Sequence, residues 1–237
     1  MSDEHASGCL ICGSSLVYLT GEELMECVFC GKQKPSNARC EKGHFICDAC
    51  HAESAVNIIR NICLNSSEKD PIVLARHIMC HDSVKMHGPE HHFLVPAVML
   101  AAYYNTKGEG HLVKKKILQA EARSKNILGG FCGFYGSCGA AIGTGIFISL
   151  ITDATPLSVE EWKLANLSTA LSLKVIAESG GPRCCKRDTF IAIRESVAFI
   201  REYFAMEMTC TEDPVCTFYP NNKECKFENC VFYPERS

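Results

Sequence analysis

The chain has 237 residues, of which 47% are hydrophobic and 22% are charged, the balance of a folded globular protein. Its formal net charge of −3 gives no broad basic surface, so we expect no nucleic-acid partner. The amino terminus is acidic and lacks an apolar run, which predicts a cytoplasmic protein without a secretory signal. Seventeen cysteines in such a protein indicate metal, cluster or thiol chemistry rather than disulfides, because the cytosol keeps thiols reduced. So many oxidisable thiols also favour an anaerobic source.

Composition divides the chain into three predicted regions. Residues 1–51 hold closely spaced cysteines and are predicted to form a zinc-binding module. Residues 52–206 are predicted to form a helical core with a Cys/His site, and residues 207–237 a Cys-rich metal-binding tail. The predicted fold class is therefore mainly α, with an all-helical core, an amino-terminal zinc-ribbon-like module and a short carboxy-terminal metal knuckle. Any strands should be confined to the two Cys-rich ends.

Apolar periodicity and capping signals predict the helices of the core in chain order. They span about 53–64, 71–79, 89–104, 109–126, 140–151, 158–178 and 184–206. Asp70 is placed to cap the second helix, with Pro71 at its first position. Ser158 and Glu161 have the spacing of a capping box.

A long stretch without a charged side chain covers residues 128–152. It is long enough to cross a bilayer. Its many glycines and its loop-like first third favour instead a buried core helix that follows a glycine-rich loop. We expect no membrane association.

Four ligand pairs in the first region predict two tetrahedral zinc sites. The predicted ligands are Cys9, Cys12, Cys27, Cys30, Cys40, His44, Cys47 and Cys50. Pairs adjacent in sequence could share an ion, or the pairs could interleave. The run from Cys40 to Cys47 resembles a segment of cross-braced finger domains, which interleave their ligands. Residues 47–51 also match a c-type haem attachment motif, but covalent haem attachment normally requires export, so zinc is preferred.

Histidines are concentrated before the predicted third helix. His77, Cys80 and His81 share one helix face, and His87, Glu90, His91 and His92 follow closely. Such a group could bind a metal or act as acid and base in a pocket. The alternative is a set of satisfied structural histidines.

Four core cysteines are candidates for a cofactor or redox site. Cys132 and Cys138 lie in the glycine-rich loop, while Cys184 and Cys185 begin a helix among basic residues. The helix dipole and the neighbouring cations predict unusually acidic thiols there. The same surroundings suit an anionic iron–sulfur cluster, or a substrate carboxylate bound by Arg183 or Lys186. The alternative is that these cysteines are small buried residues that permit close helix packing.

The tail supplies four further thiols, Cys210, Cys216, Cys225 and Cys230, interleaved with aromatic residues. Their spacing suits either a third zinc ion or a [4Fe–4S] cluster. The sequence leaves this choice open.

Residues 87–105, the Cys132–Cys138 loop, residues 180–188 and the final cysteines together resemble a family of uncharacterised proteins from anaerobic bacteria and archaea. That family is defined as a domain of unknown function, sometimes attached to methyltransferase modules. The likeness covers most of residues 53–237.

A second, weaker resemblance rests on Gly136-x-Cys138-Gly139 and Gly181-Pro182-x-Cys184, each preceding a helix. In this order they are similar to the iron–sulfur L-serine dehydratase and cysteine desulfidase group. The resemblance implies a [4Fe–4S] cluster held by three cysteines, with one iron free to polarise the substrate. Cys138 would be the first ligand and Cys184 or Cys185 the last, while the middle ligand has no clear counterpart in the sequence.

Two functions are compatible with these features. The first is an enzyme with structural zinc and an iron–sulfur or thiolate site, which performs an elimination, sulfur transfer or redox reaction on a small thiol or hydroxy acid. Its candidate catalytic residues are His77, His87, Glu90, His91, Arg183 and Lys186. The alternative is a non-catalytic, zinc-dependent adaptor whose zinc module binds a partner enzyme such as a methyltransferase.

Overall fold

The computed structural model of the chain describes residues 9, 11, 12, 14–47 and 54–234. It confirms a mainly α fold, with strands only in the amino-terminal region of the described residues. The strands are β1 (Leu16–Glu26) and β2 (Gln33–Cys40). The helices are α1 (Ala55–Asn65), α2 (Pro71–Met79), α3 (Glu90–Lys107), α4 (Val113–Ser124), α5 (Phe131–Phe134), α6 (Gly139–Ile151), α7 (Glu160–Glu178) and α8 (Cys185–Phe204). Short 3-10 turns cover Gly110–Leu112, Tyr219–Asn221 and Phe227–Asn229.

The strands β1 and β2 form an antiparallel hairpin. Leu16 pairs with Cys40 at its open end, Glu26 pairs with Gln33 at the turn, and the register shifts between Tyr18 and Glu23. The first cysteine pair precedes β1, so the register brings it beside Cys40. Cys27 and Cys30 lie in the turn at the opposite end of the hairpin. The hairpin therefore separates two groups of ligands.

Two N-terminal capping residues were predicted from the sequence, and the structure contains one of these caps but not the other. The Asp70 carboxylate accepts hydrogen bonds from the backbone N–H groups of Ile72 (2.8 Å) and Val73 (3.3 Å), as its N-cap position predicts. The predicted capping box at Ser158 is wrong. Helix α7 begins at Glu160 without a side-chain cap, and the Ser158 hydroxyl accepts from the backbone N–H of Thr155 instead.

Helix α3 forms the centre of the helical core. Its residues from Phe93 to Tyr104 are all buried, and α1, α2, α4, α6 and α8 pack around it. Helix α6 contacts α3 on one side and α7 on the other. A Cβ atom on Gly145 of α6 would lie 2.1 Å from the Thr169 hydroxyl oxygen, so α6 and α7 approach as closely as glycine allows.

The uncharged run of residues 128–152 forms a glycine-rich loop followed by a short core helix. Helix α6, which has 13 residues, covers the second half of the run. Within the described ranges, none of the helices combines the length and the apolar character that a membrane span needs.

The hairpin packs onto the core through its turn. Met25, Phe29 and Phe45 are buried in the same apolar cluster as residues of α1 and α2. The Phe29 ring lies with its centroid 5.2 Å from that of His77 and 4.4 Å from that of His81. The predicted module boundary at residue 51 lies outside the described residues.

Candidate metal and thiol sites

The first group of possible metal ligands contains Cys9, Cys12, Cys40 and His44, whose ligand atoms all lie within 4.8 Å of one another. The sulfurs of Cys12 and Cys40 are 3.5 Å apart, and Cys9 Sγ is 3.6 Å from His44 Nδ1. Thiolates around one tetrahedral zinc ion are separated by about 3.8 Å, given Zn–S bonds of about 2.3 Å. The group therefore has the spacing of a single-ion site.

The second group brings together Cys27, Cys30 and Cys47. The sulfurs of Cys30 and Cys47 are 3.9 Å apart. Burial raises the pKa of the Cys27 thiol, but backbone N–H groups, that of Cys47 among them, outweigh it and lower this pKa to about 7. The predicted fourth ligand, Cys50, lies outside the described residues, as does His51 of the haem-like motif.

The two groups show which of the predicted ligand pairs lie together in space. The first pair along the chain joins the third, and the second joins the Cys47 of the fourth. The pairs are thus interleaved, as in the cross-braced arrangement, and are not shared between neighbours in sequence.

Three of the four core cysteines gather near the start of α8. Cys138 is the N-cap of α6, and its thiol donates to the Asp188 carboxylate at 3.9 Å. Burial is the main cause that raises the pKa of Cys138 and of Cys185, and negative charge on Cys185 and on Cys132, respectively, adds to it. Cys138 and Cys185 thus lie near each other and near Asp188, and Cys132 lies within electrostatic range of Cys185.

The thiols of Cys138, Cys184 and Cys185, at the starts of α6 and α8, are not acidic, so the prediction of acidic thiols at the start of α8 was wrong. Burial raises the pKa of Cys138 to about 12 and that of Cys184 to about 11, and it also raises the pKa of Cys185. The backbone N–H groups at the helix starts and the neighbouring arginines lower these values by less than burial raises them. Without a bound cation, all three thiols are protonated at neutral pH.

The side chain of Cys184 lies in a different region from that of its neighbour Cys185. It is the N-cap of α8, and consecutive helical positions are rotated by about 100°. Its sulfur accepts a hydrogen bond from the Asn222 side-chain amide at 3.6 Å, and it lines a cavity together with Cys216, Cys225 and Cys230. Cys210 does not line that cavity; its thiol donates to the carbonyl of Thr211 at 3.8 Å.

The predicted histidine group is divided among three places. His77 lies beneath the hairpin against Phe29. His87 Nε2 is within 3.2 Å of Asn222 Oδ1 and 3.1 Å of Glu224 Oε2, so it belongs to the tail. His81 and His91 are both buried, and His91 Nδ1 lies 3.1 Å from the carbonyl oxygen of Gly88.

His91 is the unusual member of this group. Its Nε2 is buried and has no hydrogen-bond partner among the described residues. Burial, and then the charge of Lys186, hold its pKa well below the usual value, so the imidazole is neutral.

The other predicted catalytic residues have structural contacts of their own. Glu90 accepts from the backbone N–H of Lys85 at 2.8 Å. Lys186 is buried and donates to the carbonyls of Met79 and Val84, both at 3.1 Å, which fixes the loop before α3. Arg183 acts on the thiol region electrostatically and lowers the pKa of Cys185. Sequence reasoning did not single out Asp188, although it follows Cys185 by less than one helical turn.

The fold and these sites define a mainly helical protein with Cys/His groups that could hold metal ions. A sequence profile of the Family of unknown function (DUF5714) matches residues 59–233, and the chain belongs to that family. This confirms the predicted likeness to an uncharacterised domain family. The match begins inside α1 and covers the core and most of the tail.

No curated protein and no solved structure matches the chain. The suggested likeness to iron–sulfur serine dehydratases therefore receives no support. The cytoplasmic location and the anaerobic source stay predictions.

Proposed function

We propose that the protein is a metalloenzyme in which two structural zinc ions fold the amino-terminal hairpin and an iron–sulfur centre occupies the core. The single-ion spacing of Cys9, Cys12, Cys40 and His44 supports the first zinc site. Cys27, Cys30 and Cys47 support the second, with Cys50 as the proposed fourth ligand. A hairpin with many exposed apolar side chains has little core of its own, so metal binding supplies folding free energy.

The observation that carries the proposed enzymatic site is the gathering of Cys132, Cys138 and Cys185 near the start of α8. Protonated thiols are poor nucleophiles, which argues against a free reactive thiolate at this site. A bound metal reverses this state, since it binds the thiolate and displaces the proton. Three thiols can hold an iron–sulfur cluster and leave one iron open, where a small thiol or hydroxy acid could bind.

Buried ionisable groups in the core support an enzymatic role over a structural one. Asp188 is buried, accepts from Arg187 Nε at 3.0 Å, and has a pKa that burial raises. Neutral His91, with its unpartnered Nε2, is suited to accept a proton from the substrate. Arg183 is suited to bind a carboxylate. The reaction class is an elimination, a sulfur transfer or a redox reaction.

Anaerobic purification with metal and sulfide analysis tests the proposal. We expect about two zinc ions per wild-type chain, together with iron, sulfide and a broad absorption band near ~400 nm. Cys138→Ser should lose about four irons and keep its zinc, because one ligand of the core cluster is removed. Cys63→Ala in α1 is the control, since this buried cysteine belongs to neither proposed site, and it should keep all its iron.

Substrate binding is tested on the same samples with L-cysteine and L-serine as probes. Either compound should alter the electron paramagnetic resonance spectrum of the reduced wild-type protein by binding the open iron. Neither should alter that of Cys138→Ser. Full iron content in Cys138→Ser would contradict the core centre, and a zinc content near zero would contradict the folding role of the hairpin sites.

A further inference from the structure

A second thiol site lies between the start of α8 and the tail. Cys184, Cys216, Cys225 and Cys230 line one cavity, whose apolar wall includes Phe190 and Phe232. Two of the cysteines are tied to this wall. Cys184 is the N-cap of α8, and the backbone N–H of Cys216 donates to the carbonyl of Phe232 at 2.7 Å. The rings of Phe190 in α8 and Phe232 in the tail have centroids 5.5 Å apart, so the tail packs back onto the helix that carries Cys184.

The four cysteines that share this cavity come from two separate segments, the start of α8 and the tail. All four cysteines are unoxidised thiols, so no disulfide accounts for their proximity.

Hydrogen-bond donors point at these sulfurs. The backbone N–H of Phe227 donates to Cys225 Sγ at 3.3 Å, and the Asn222 amide donates to Cys184 Sγ at 3.6 Å. Such N–H···S bonds stabilise thiolates and are the contacts that tune a metal–thiolate centre.

Positive charge is available beside the four sulfurs. Arg187 and Lys226 line the same cavity. Arg187 is held by Asp188 and by the carbonyl of Pro182, and Lys226 donates to the carbonyl of Ser179. Four thiolates around a metal centre carry net negative charge, which these two side chains would offset in part, since Glu224 also lines the cavity and Arg187 is paired with Asp188.

The spacing of the sulfurs indicates what kind of centre fits. Among the described residues, only the two hairpin groups bring three or more ligand atoms within 4.8 Å of one another. No three of the cavity cysteines therefore have their sulfurs within 4.8 Å of one another, whereas thiolates around one zinc ion lie about 3.8 Å apart. A cubane cluster holds its thiolates farther apart, because irons and sulfides separate them.

We propose that Cys184, Cys216, Cys225 and Cys230 are the four ligands of a [4Fe–4S] cluster. All four irons have a cysteine ligand, so this centre has no open position for substrate. It is thus distinct from the three-thiol core centre. The two adjacent cysteines at the start of α8 belong to different sites, and Cys210 is not a ligand.

The experiment compares single variants of the full chain after anaerobic reconstitution with ferrous iron and sulfide. Cys184→Ser and Cys225→Ser should each lose about four irons and the matching absorbance near ~400 nm. Cys210→Ser is the matched control, since it removes a tail thiol outside the cavity, and it should keep the wild-type iron content. Helical circular dichroism checks folding, and Cys225→Ser, at a half-buried loop position, serves if Cys184→Ser does not fold.

The outcomes separate this site from the core centre. If the core centre fails, Cys138→Ser keeps all its iron while Cys184→Ser still loses about four irons, which supports the tail cluster. Equal iron content in Cys184→Ser and wild type would overturn the tail cluster. So would equal losses in Cys184→Ser and Cys210→Ser, or a third zinc ion with four sulfur ligands and no iron at this site.

Discussion

The Asp70 carboxylate shows how one residue links two parts of the chain. One oxygen caps α2, and the other accepts from the Thr211 hydroxyl at 2.7 Å. Thr211 lies at the beginning of the tail, next to Cys210. A single buried side chain therefore sets the start of a core helix and anchors the segment that leads to the four-cysteine cavity.

Replacing Asp70 should be costly because three hydrogen bonds are lost together. We expect Asp70→Ala to lower the free energy of unfolding by about 2–3 kcal/mol. Ser54→Ala is the control. The Ser54 hydroxyl accepts one exposed hydrogen bond of 3.4 Å at the start of α1, so we expect a loss of about 0.5 kcal/mol. Urea unfolding of both variants measures the difference, and equal losses would contradict the linking role of Asp70.

At the scale of single residues, the sequence was a better guide to the kind of site that the cysteines form than to which cysteines share a site. Cysteine pairs predicted the hairpin ligands, because a short turn places both thiols on one ion. The neighbours of Cys184 could not be predicted, since its direction depends on where α8 begins and on how the tail folds back. The acidity of the thiols was mispredicted because burial, which the sequence does not give, outweighs the local charges.

The contact between α6 and α7 shows why helices can be predicted more easily than their packing. Their positions in the sequence followed from apolar runs and from breaks at glycine and proline. Their separation depends on small residues that face each other, Gly145 on one helix and Ala165 and Thr169 on the other. No periodicity in a single sequence identifies such pairs.

A methyl group at this contact should force the two helices apart. In Gly145→Ala the new Cβ would lie 2.1 Å from Thr169 Oγ1 and 2.9 Å from the Ala165 carbonyl. We expect a loss of about 1–3 kcal/mol in the free energy of unfolding. Gly110→Ala is the control, because a methyl group at that position would meet nothing within 4 Å, and it should change stability little. Thermal or urea unfolding distinguishes the two, and a neutral Gly145→Ala would show that the helices can separate without cost.

At the scale of the whole molecule, the enclosed histidine His91 couples stability to pH. Lys186, His87 and His92 act on it electrostatically and disfavour its protonation, and Glu90 Oε1 lies 3.9 Å from its Nδ1. The native imidazole stays neutral where the unfolded one takes up a proton, near pH ~6.5. The unfolded state therefore binds more protons below that pH, and the stability that the neutral imidazole contributes is lost as the pH falls through this range.

We expect His91 to lower the free energy of unfolding by up to about 1.4 kcal/mol per pH unit below pH ~6. His91→Gln should remove this part of the slope, while His111→Gln, at an exposed position, should leave the slope unchanged. Unfolding in urea between about pH 5 and 7.5 measures it, and zinc loss in acid affects all the proteins alike. An unchanged slope in His91→Gln would show that the native imidazole is protonated.

The interleaved hairpin ligands have a consequence for the way the molecule is made. The proposed zinc sites are completed within a few residues of each other during synthesis, because the first needs His44 and the second needs Cys47 and the proposed ligand Cys50. When His44 is made, two of the four proposed ligands of the second site have already been made. Both sites also share the hairpin as a common support, so the loss of one ion loosens the other. When zinc is scarce, we therefore expect newly made chains to divide into fully loaded and empty molecules, with few that carry a single ion.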